Sequence, residues 1–136
     1  MGLSRKQSRE IAYKLLFQLT SDIQCDVLNN ESLEIVCGCE KPSGPELEYI
    51  QKLCAAAKNN LVVIDEIIKN HSKGFAFDRV FKTDLTALRM GIAEVKFFEG
   101  TPAVVAVNEA VEIAKKYGTE KSGSFVNGIL ATLLKT

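Results

Sequence analysis

Hydrophobic residues recur every three or four positions along most of this chain, which is the spacing of one face of an α-helix. The first such stretch predicts a helix over residues 4–20, with Ile11, Leu15 and Leu19 on its apolar side. A longer stretch keeps the same spacing over residues 43–68, and we expect it to form the central helix of the fold.

Three further helices are predicted in the second half of the chain. One covers residues 84–98 and another covers residues 102–117. The last follows a short polar elbow and has its apolar residues at Phe125, Ile129 and Leu133.

The remaining segments predict only a short helix at residues 32–36 and a connecting turn or helix at residues 75–81. No segment alternates apolar and polar residues for long enough to predict a β-strand. The fold class is therefore all-α, a single compact helical bundle of about six to seven helices with short connections. Because the chain has no linker, repeat or low-complexity tract, we expect residues 1–136 to form one domain.

Polar residues that can bind free backbone amides precede the predicted helices. Gly118 follows residues 102–117, and we expect it to end that helix in the left-handed conformation. The candidate capping residues are Ser4, Ser43, Thr83 and Thr101, and the first two are followed three positions later by Gln7 and Glu46, as in a capping box.

The charges of the chain are balanced overall but unevenly placed. Lysine and arginine number 17 and aspartate and glutamate number 17, so no overall positive charge attracts nucleic acid. Arg5, Lys6, Arg9 and Lys14 nevertheless gather in the first predicted helix. Positive side chains at a helix start oppose its dipole by up to about 1 kcal/mol each. This cost indicates a binding role, with a solubilising basic turn as the alternative.

The sequence predicts a soluble protein of the cytoplasm with no membrane partner. No apolar run reaches the roughly 18 to 20 residues that a membrane span requires. The N-terminal stretch does not resemble a secretory signal, because Glu10, Tyr13 and Lys14 interrupt its apolar part.

Four cysteines and one histidine suggest a zinc site, but their spacing argues against it. Structural zinc sites take ligands from paired Cys-x2-Cys elements, whereas Cys37 and Cys39 are separated by one residue and no second pair accompanies them. Cys25 and Cys54 stand apart, and His71 has no nucleophile nearby in sequence. No common catalytic loop occurs either. We therefore expect no metal, no cofactor and no catalytic residue, and predict that the protein is not an enzyme.

A binding module fits the sequence better than an enzyme does. Arg5, Lys6 and Arg9 offer contacts to phosphates, which position a polyanion without reading its sequence. Phe125 follows the polar elbow at Lys121, and an exposed ring there would stack on an unpaired base of single-stranded RNA. The alternative is a Phe125 buried in the core, because it shares the helical spacing of the apolar residues after it.

Two stretches of the chain carry a family resemblance. VNEAVEIAKKYG, followed shortly by SFVNGIL, resembles the C-terminal signature of the NusB family of transcription antitermination factors. Upstream, LTALRMGIAEVKFF resembles the helix that precedes this signature in that family. The resemblance implies an all-helical, non-catalytic protein that binds the boxA element of leader and ribosomal RNA transcripts as single-stranded RNA.

The resemblance also implies protein partners. NusB-family proteins act together with the small-subunit ribosomal protein NusE, in the RNA polymerase elongation complex with other Nus factors, so that ribosomal RNA transcription is not terminated early. A homodimer is a further expectation. Two alternatives remain, namely a helical interaction module or homodimer without an RNA role, and a detached NusB-like domain of a ribosomal RNA methyltransferase.

Site residues follow from matching positions in the resemblance. The basic residues would contact phosphates and Phe125 would stack on a base, while the segment from residue 79 to residue 89 would face NusE. The implied RNA-binding residues are Arg5, Lys6, Arg9, Phe17, Tyr117, Lys121 and Phe125. The implied partner-binding residues are Arg79, Asp84 and Arg89.

Overall fold

The computed structural model describes residues 3–21, 42–71 and 76–135, and these form six α-helices with no strand among them. This architecture confirms the predicted all-α class. The short helix predicted at residues 32–36 lies outside the described residues. The helices are α1 (Arg5–Ser21), α2 (Gly44–Asn59), α3 (Leu61–His71), α4 (Lys82–Lys96), α5 (Ala103–Tyr117) and α6 (Ser122–Leu130), with 3₁₀ helices at Phe77–Arg79 and Ala131–Lys135.

Helix α4 is the centre of the bundle, because the other five helices all pack against it. Every residue of α4 from Asp84 to Glu94 is buried. A Cβ atom at Gly91 would lie 2.8 Å from Leu130 Cδ1 and 3.0 Å from Ala110 Cβ, so glycine lets α5 and α6 approach α4 closely. The prediction that residues 43–68 form the central helix is therefore wrong.

The helix predicted over residues 43–68 is divided at Asn60, so that α2 ends at Asn59 and α3 begins at Leu61. Asn60 has φ −118° and ψ 21°, and its side-chain amide donates to the Ala56 carbonyl at 2.8 Å. Asparagine competes in this way with the regular hydrogen bonds of a helix. The apolar spacing continues because both helices bury one face, so the spacing alone does not reveal the break.

The capping box predicted at the start of α1 is present. The Gln7 amide donates to Ser4 Oγ at 3.0 Å, and the Ser4 amide donates to Gln7 Oε1 at 2.8 Å. Two other predicted caps are wrong, since Ser43 makes no side-chain capping bond and Thr83 lies inside the first turn of α4. The sequence identified these helix starts to within two residues but not the groups that satisfy their amides.

Gly118 ends α5 because there is no room for a side chain, not because its backbone is left-handed. Its φ is −98°, which corrects the predicted conformation. A Cβ atom there would lie 2.8 Å from the Ala114 carbonyl oxygen and would collide with the Ser122 hydroxyl. Ser122 Oγ accepts from the Thr119 amide at 2.8 Å. The resulting tight turn fixes where α6 begins relative to the end of α5.

Ser8 on α1 is fully buried, and its hydroxyl has no hydrogen-bond partner. An unpaired buried hydroxyl costs about 1–3 kcal/mol, and alanine is a better helix former than serine. We therefore expect Ser8→Ala to raise the free energy of unfolding by about 1 kcal/mol in urea denaturation. Ser124→Ala, at an exposed position of α6, isolates the helix-propensity gain and should change stability by no more than about 0.5 kcal/mol. A Ser8→Ala variant less stable than wild type would contradict this prediction.

Candidate functional site

An apolar cavity of about 210 Å³ lies beside α1 and is lined by Tyr13, Lys14, Phe17, Thr83 and Tyr117. The Tyr13 and Tyr117 rings stack with their centroids 5.2 Å apart, and the Tyr13 hydroxyl donates to the Thr83 carbonyl at 3.0 Å. Phe17 is 36% exposed, so part of its ring is open to a ligand. We call this the Phe17 cavity. It brings together two of the predicted RNA-binding residues, Phe17 and Tyr117.

A second cavity of about 180 Å³ adjoins the first at the N-terminus of α4, since Thr83 lines the first cavity and Asp84 the second. Phe125 is half-buried here, because it packs partly against the core and partly lines the cavity. Its ring is therefore neither fully buried in the core nor fully exposed, and its stacking on RNA stays a prediction. We call this the Phe125 cavity, and its lining residues are Arg79, Val80, Phe81, Asp84, Thr119, Lys121 and Phe125.

Arg5 and Lys6 are exposed at the start of α1 and face different neighbours. The Arg5 guanidinium lies 3.9 Å from the centroid of the Tyr49 ring, which is a cation–π contact. The Lys6 side chain is 73% exposed and its ammonium lies 3.8 Å from Glu109 Oε2. Exposed ion pairs of this kind contribute little to stability, so the ammonium can exchange Glu109 for a phosphate. Both residues remain candidates for phosphate contacts.

Arg9 is buried inside the bundle and is 2% exposed. Its Nε donates to Glu94 Oε1 at 2.8 Å and its Nη2 donates to Glu94 Oε2 at 2.7 Å, a bidentate pair. Glu109 Oε1 lies 3.4 Å from Arg9 Nη1. This placement corrects the prediction that Arg9 contacts phosphate, because its guanidinium is held by carboxylates and does not reach the surface.

Glu94 joins several elements of the fold. Its Oε2 also accepts from the Tyr49 hydroxyl at 2.8 Å and from the Thr101 hydroxyl at 2.9 Å. Thr101 therefore binds a side chain of α4 and does not cap α5 as predicted. Burial alone would raise the pKa of Glu94, but the hydrogen bonds from Arg9, Tyr49 and Thr101 outweigh burial and lower it. This network ties α1, α2 and α4 together beneath Arg5.

Among the three residues predicted to bind a protein partner, Arg79 alone is exposed. Arg89 is 8% exposed, and its Nε and Nη2 each donate to a carboxylate oxygen of Asp65 at 2.9 Å. This bidentate pair ties α4 to α3, so the prediction of Arg89 as a partner contact is corrected. Asp84 is 5% exposed and lines the Phe125 cavity together with Arg79.

Six residues that line the two cavities were not predicted as site residues, namely Tyr13, Lys14, Val80, Phe81, Thr83 and Thr119. Tyr13 precedes Phe17 by one helical turn on α1, which is the signal that could have identified it. Phe81 is 60% exposed directly before α4, and no pattern in the sequence indicates this exposure. The sequence assigned Phe81 only to a connecting segment.

Lys116 belongs to a polar cluster between α1 and α5. Its ammonium donates to Glu10 Oε1 at 2.7 Å, and the Tyr117 hydroxyl donates to the same oxygen. Burial and this hydrogen bond raise the pKa of Tyr117 to about 12. Burial alone would raise the pKa of Glu10, but the bonds from Lys116 and Tyr117 outweigh it and lower that pKa. Tyr117 is thus held with its ring against the Phe17 cavity.

No group of three or more His, Cys, Asp or Glu side chains within residues 3–21, 42–71 and 76–135 is placed to hold a metal ion. Cys54 is fully buried, and burial raises the pKa of its thiol to about 12. Cys25, Cys37 and Cys39 lie outside the described residues. In the part of the chain that the structure describes, no helix is long and apolar enough to cross a bilayer.

Known proteins resemble this chain along nearly its whole length. Residues 6–135 match the model of the NusB family. A transcription antitermination protein NusB of Finegoldia magna is 37% identical over 133 residues, which cover 98% of this chain and 95% of the relative. The similarity is thus to an entire NusB protein.

Solved structures share the fold as well. A NusB of T. maritima superposes with a TM-score of 0.86 at 33% identity, covering 99% of this chain and 93% of that one. A structure of the antitermination factors NusB and NusE in complex with double-stranded RNA matches with a TM-score of 0.82 at 30% identity, covering 96% of each chain. The likeness therefore extends over the complete bundle.

Proposed function

Since this chain belongs to the NusB family of transcription antitermination proteins, we propose that it is a non-catalytic adaptor that binds boxA-type single-stranded RNA together with NusE. It acts in the cytoplasm within the RNA polymerase elongation complex that contains the other Nus factors, and it promotes processive transcription of ribosomal RNA operons. The related structure that contains NusB, NusE and RNA supports the two binding partners.

The proposal is supported most directly by the arrangement of three aromatic residues and one lysine. Phe17, Tyr117 and Phe125 come from α1, α5 and α6, and Lys121 directly precedes α6, yet all four line two adjoining cavities. Aromatic rings that stack on bases contribute about 1–3 kcal/mol per base, and lysines at the rim bind the phosphates between them. Two neighbouring aromatic cavities with basic rims are suited to successive nucleotides of one strand.

Arg5 and Lys6 extend this surface toward the start of α1. Phe17 follows Arg5 by 12 positions in the sequence, which corresponds to about 18 Å along a helix axis. Exposed Lys14 lies between them on α1, and Lys116 reaches the same stretch through Glu10. An RNA strand along α1 would therefore meet basic side chains before its bases enter the Phe17 cavity.

The contact with NusE is proposed around the 3₁₀ helix Phe77–Arg79, because Arg79 is exposed there beside the Phe125 cavity. NusE at this position would lie next to the RNA and would confine its bases in the cavity. A homodimer that covered the same surface would compete with RNA. The dimer would then store the protein in a form that does not bind RNA. RNA affinity that does not fall as self-association increases would contradict that role.

The experiment that tests the proposed function measures binding by fluorescence anisotropy. Three RNAs are compared, namely a short boxA strand, a scrambled strand of the same composition and a duplex. We expect the wild-type protein to prefer boxA, and the preference to grow when NusE is added. Equal binding to all three would show that phosphates alone are contacted. A folded protein that binds none of them, even with NusE, would leave only a helical protein-interaction module.

Arg5→Ala combined with Lys6→Ala is expected to weaken RNA binding mainly at low salt. Each phosphate contact to a single strand contributes about 0.7 to the slope of log K against log salt, so the slope should fall by about 1.4. Lys52→Ala combined with Lys96→Ala removes two exposed lysines outside the proposed surface and should leave the slope unchanged. Equal slopes for the wild type and the Arg5/Lys6 variant would show that these residues touch no phosphate.

A further inference from the structure

A groove between α1 and α5 holds a carboxylate against donors that could bind another anion. The groove has a volume of about 190 Å³, and its lining includes Lys6, Glu10, Glu109 and Lys116. The Lys116 ammonium donates to Glu10 Oε1 at 2.7 Å, and the Tyr117 hydroxyl donates to the same oxygen. We call this space the α1–α5 groove. One oxygen of Glu10 thus lies where a cation and a hydroxyl converge.

The two donors that meet at Glu10 suit a phosphate as well as a carboxylate. Lysine forms charge-assisted hydrogen bonds to both groups, and a phosphate offers several acceptor oxygens. A space of about 150 Å³ holds a benzene ring, so the groove is large enough for a phosphate group. The side chain of Lys116 is 61% exposed and that of Glu10 is 23% exposed, so a ligand can reach the ion pair. Exposed ion pairs contribute little to stability, so a phosphate can replace this carboxylate.

Glu109 also lines the groove but is held more firmly than Glu10. Its Oε1 lies 3.4 Å from Nη1 of the buried Arg9, whereas Glu10 pairs with a lysine that is mostly exposed. Removing Glu109 from Arg9 would take an acceptor from a buried guanidinium, which costs more than releasing an exposed lysine. Glu10 is therefore the carboxylate that a ligand can displace.

The groove lies on a line of basic residues that follows α1. Lys6 and Lys14 are each one helical turn from Glu10, about 6 Å along the helix axis, so the three residues share one side of α1. Lys14 and Tyr117 also line the Phe17 cavity. A strand whose base enters that cavity therefore has a phosphate close to the groove. The negative charge of Glu10 opposes the approach of that phosphate.

We propose that the α1–α5 groove binds one phosphate of the RNA strand and that Glu10 occupies this site until RNA displaces it. The inference rests on the proposed function and adds a restraint to it. When the phosphate enters, Lys116 and Tyr117 donate to its oxygens, and the Glu10 carboxylate turns toward solvent by rotation about its side-chain torsions. Because the ion pair must be broken first, Glu10 lowers the affinity for every strand that uses the site.

An acidic side chain of a protein partner is the competing occupant of the groove. A single carboxylate would satisfy Lys116 no better than Glu10 already does, and it would leave Lys6 and Lys14 unused. An RNA strand carries a phosphate at every nucleotide, so it can meet the whole line of basic residues. The repeated positive charge along α1 therefore favours RNA over an acidic peptide side chain.

The test compares boxA binding by Glu10→Gln and by the wild type at several salt concentrations. Glutamine keeps the shape of glutamate and an acceptor for the Tyr117 hydroxyl, so the substitution removes only the charge. We expect boxA to bind about three- to fivefold more tightly at low salt, because one exposed ion pair no longer competes. The slope of log K against log salt should steepen by about 0.7, because Lys116 gains a phosphate contact.

Glu48→Gln is the matched control for the loss of one carboxylate. It breaks an ion pair with Lys52 that is also 2.7 Å long, on the surface of α2. This pair lies outside the α1–α5 groove, so the salt slope should stay at the wild-type value. A slope that steepened equally in Glu48→Gln and Glu10→Gln would show an effect of net charge and would overturn the inference.

Combining Glu10→Gln with Lys116→Gln separates the ion pair from the charge of Glu10 alone. The double variant replaces one neutral pair by another, so its affinity and salt slope should return to wild-type values. A double variant that binds boxA as tightly as Glu10→Gln would show that the gain does not come from Lys116. Lys116→Gln alone leaves the Glu10 charge beside the strand and should weaken binding. Unchanged affinity in that variant overturns the inference even if Glu10→Gln does not fold.

The remaining outcomes separate this inference from the proposed function. Equal or weaker boxA binding by folded Glu10→Gln, with normal binding by the wild type, overturns the inference alone and leaves Glu10 as a support for the Tyr117 ring. Failure of the wild type to bind boxA RNA with NusE present overturns the proposed function and this inference together.

Discussion

Glu94→Ala is expected to lower the free energy of unfolding by about 3–5 kcal/mol. The substitution leaves the Arg9 guanidinium buried without the carboxylate that accepts from its Nε and Nη2. The hydroxyls of Tyr49 and Thr101 lose their acceptor as well. Because small domains are stable by only about 5–15 kcal/mol, a loss of this size removes a large share of the total. Urea denaturation followed by circular dichroism measures it.

Glu112→Ala is the matched control for this prediction. Its side chain is 56% exposed, and its ion pair with Lys115 is 3.9 Å long on the surface of α5. Exposed pairs contribute about 0–1 kcal/mol, so this substitution should change little. A loss below about 1 kcal/mol for Glu94→Ala would show that the buried pair is not what holds α1 against α4.

Acid should remove the contribution of Glu94. Its pKa in the folded protein lies below the ordinary value of 4.5, so the carboxylate stabilises the fold above that pH. The contribution is lost as the pH falls through the lowered pKa, because the Glu94 carboxyl group is then protonated in both the folded and the unfolded state. The stability difference between the wild type and Glu94→Gln should therefore shrink in acid, while the difference between the wild type and Glu112→Gln stays small throughout.

Phe125→Ala is expected to weaken boxA binding by about 5- to 150-fold, which corresponds to the loss of about 1–3 kcal/mol from one base stack. Phe125 also packs partly against the core, so part of the effect of alanine is structural. Phe125→Leu keeps apolar bulk but lacks the flat ring. We expect Phe125→Leu to lose a similar share of RNA affinity at nearly native stability, with anisotropy titrations and urea denaturation as the two measurements.

Phe97→Ala provides the control for a general effect of exposed aromatic residues. Phe97 is 36% exposed at the opposite end of α4, beside Lys52 and Ala55 of α2. Its replacement should leave the affinity for RNA unchanged. If Phe97→Ala and Phe125→Leu weakened binding equally, the Phe125 cavity would not be the RNA site.

The helices were predictable because burial of apolar residues decides where they form. The residues at helical spacing in α1 and α4 are those that the core buries, so the spacing alone identifies these helices. The burial of Arg9 does not follow from helical spacing. In sequence Arg9 matches Arg5, one turn earlier, but its surroundings depend on Glu94, which is 85 positions away. Local pattern cannot show which of two arginines meets a buried carboxylate.

The site was only partly predictable for the same reason. The family resemblance indicated Phe17, Tyr117 and Phe125, and the structure brings them to two adjoining cavities. Tyr13 was missed because its ring reaches the site only where α5 ends beside α1. Phe81 was missed because its exposure follows from the direction of the chain before α4. The one-turn spacing places Tyr13 on the same face of α1 as Phe17, but only contacts between distant segments decide that this face and Phe81 line cavities.

The most direct test of the adaptor function is the coupling between its two partners. Affinity for boxA RNA is measured without NusE and with saturating NusE, with a scrambled RNA as control. We expect NusE to tighten boxA binding by about 5- to 150-fold, and boxA to tighten NusE binding by the same factor, because coupling is reciprocal. Identical boxA affinity with and without NusE, in a protein that binds each partner alone, would contradict the adaptor function.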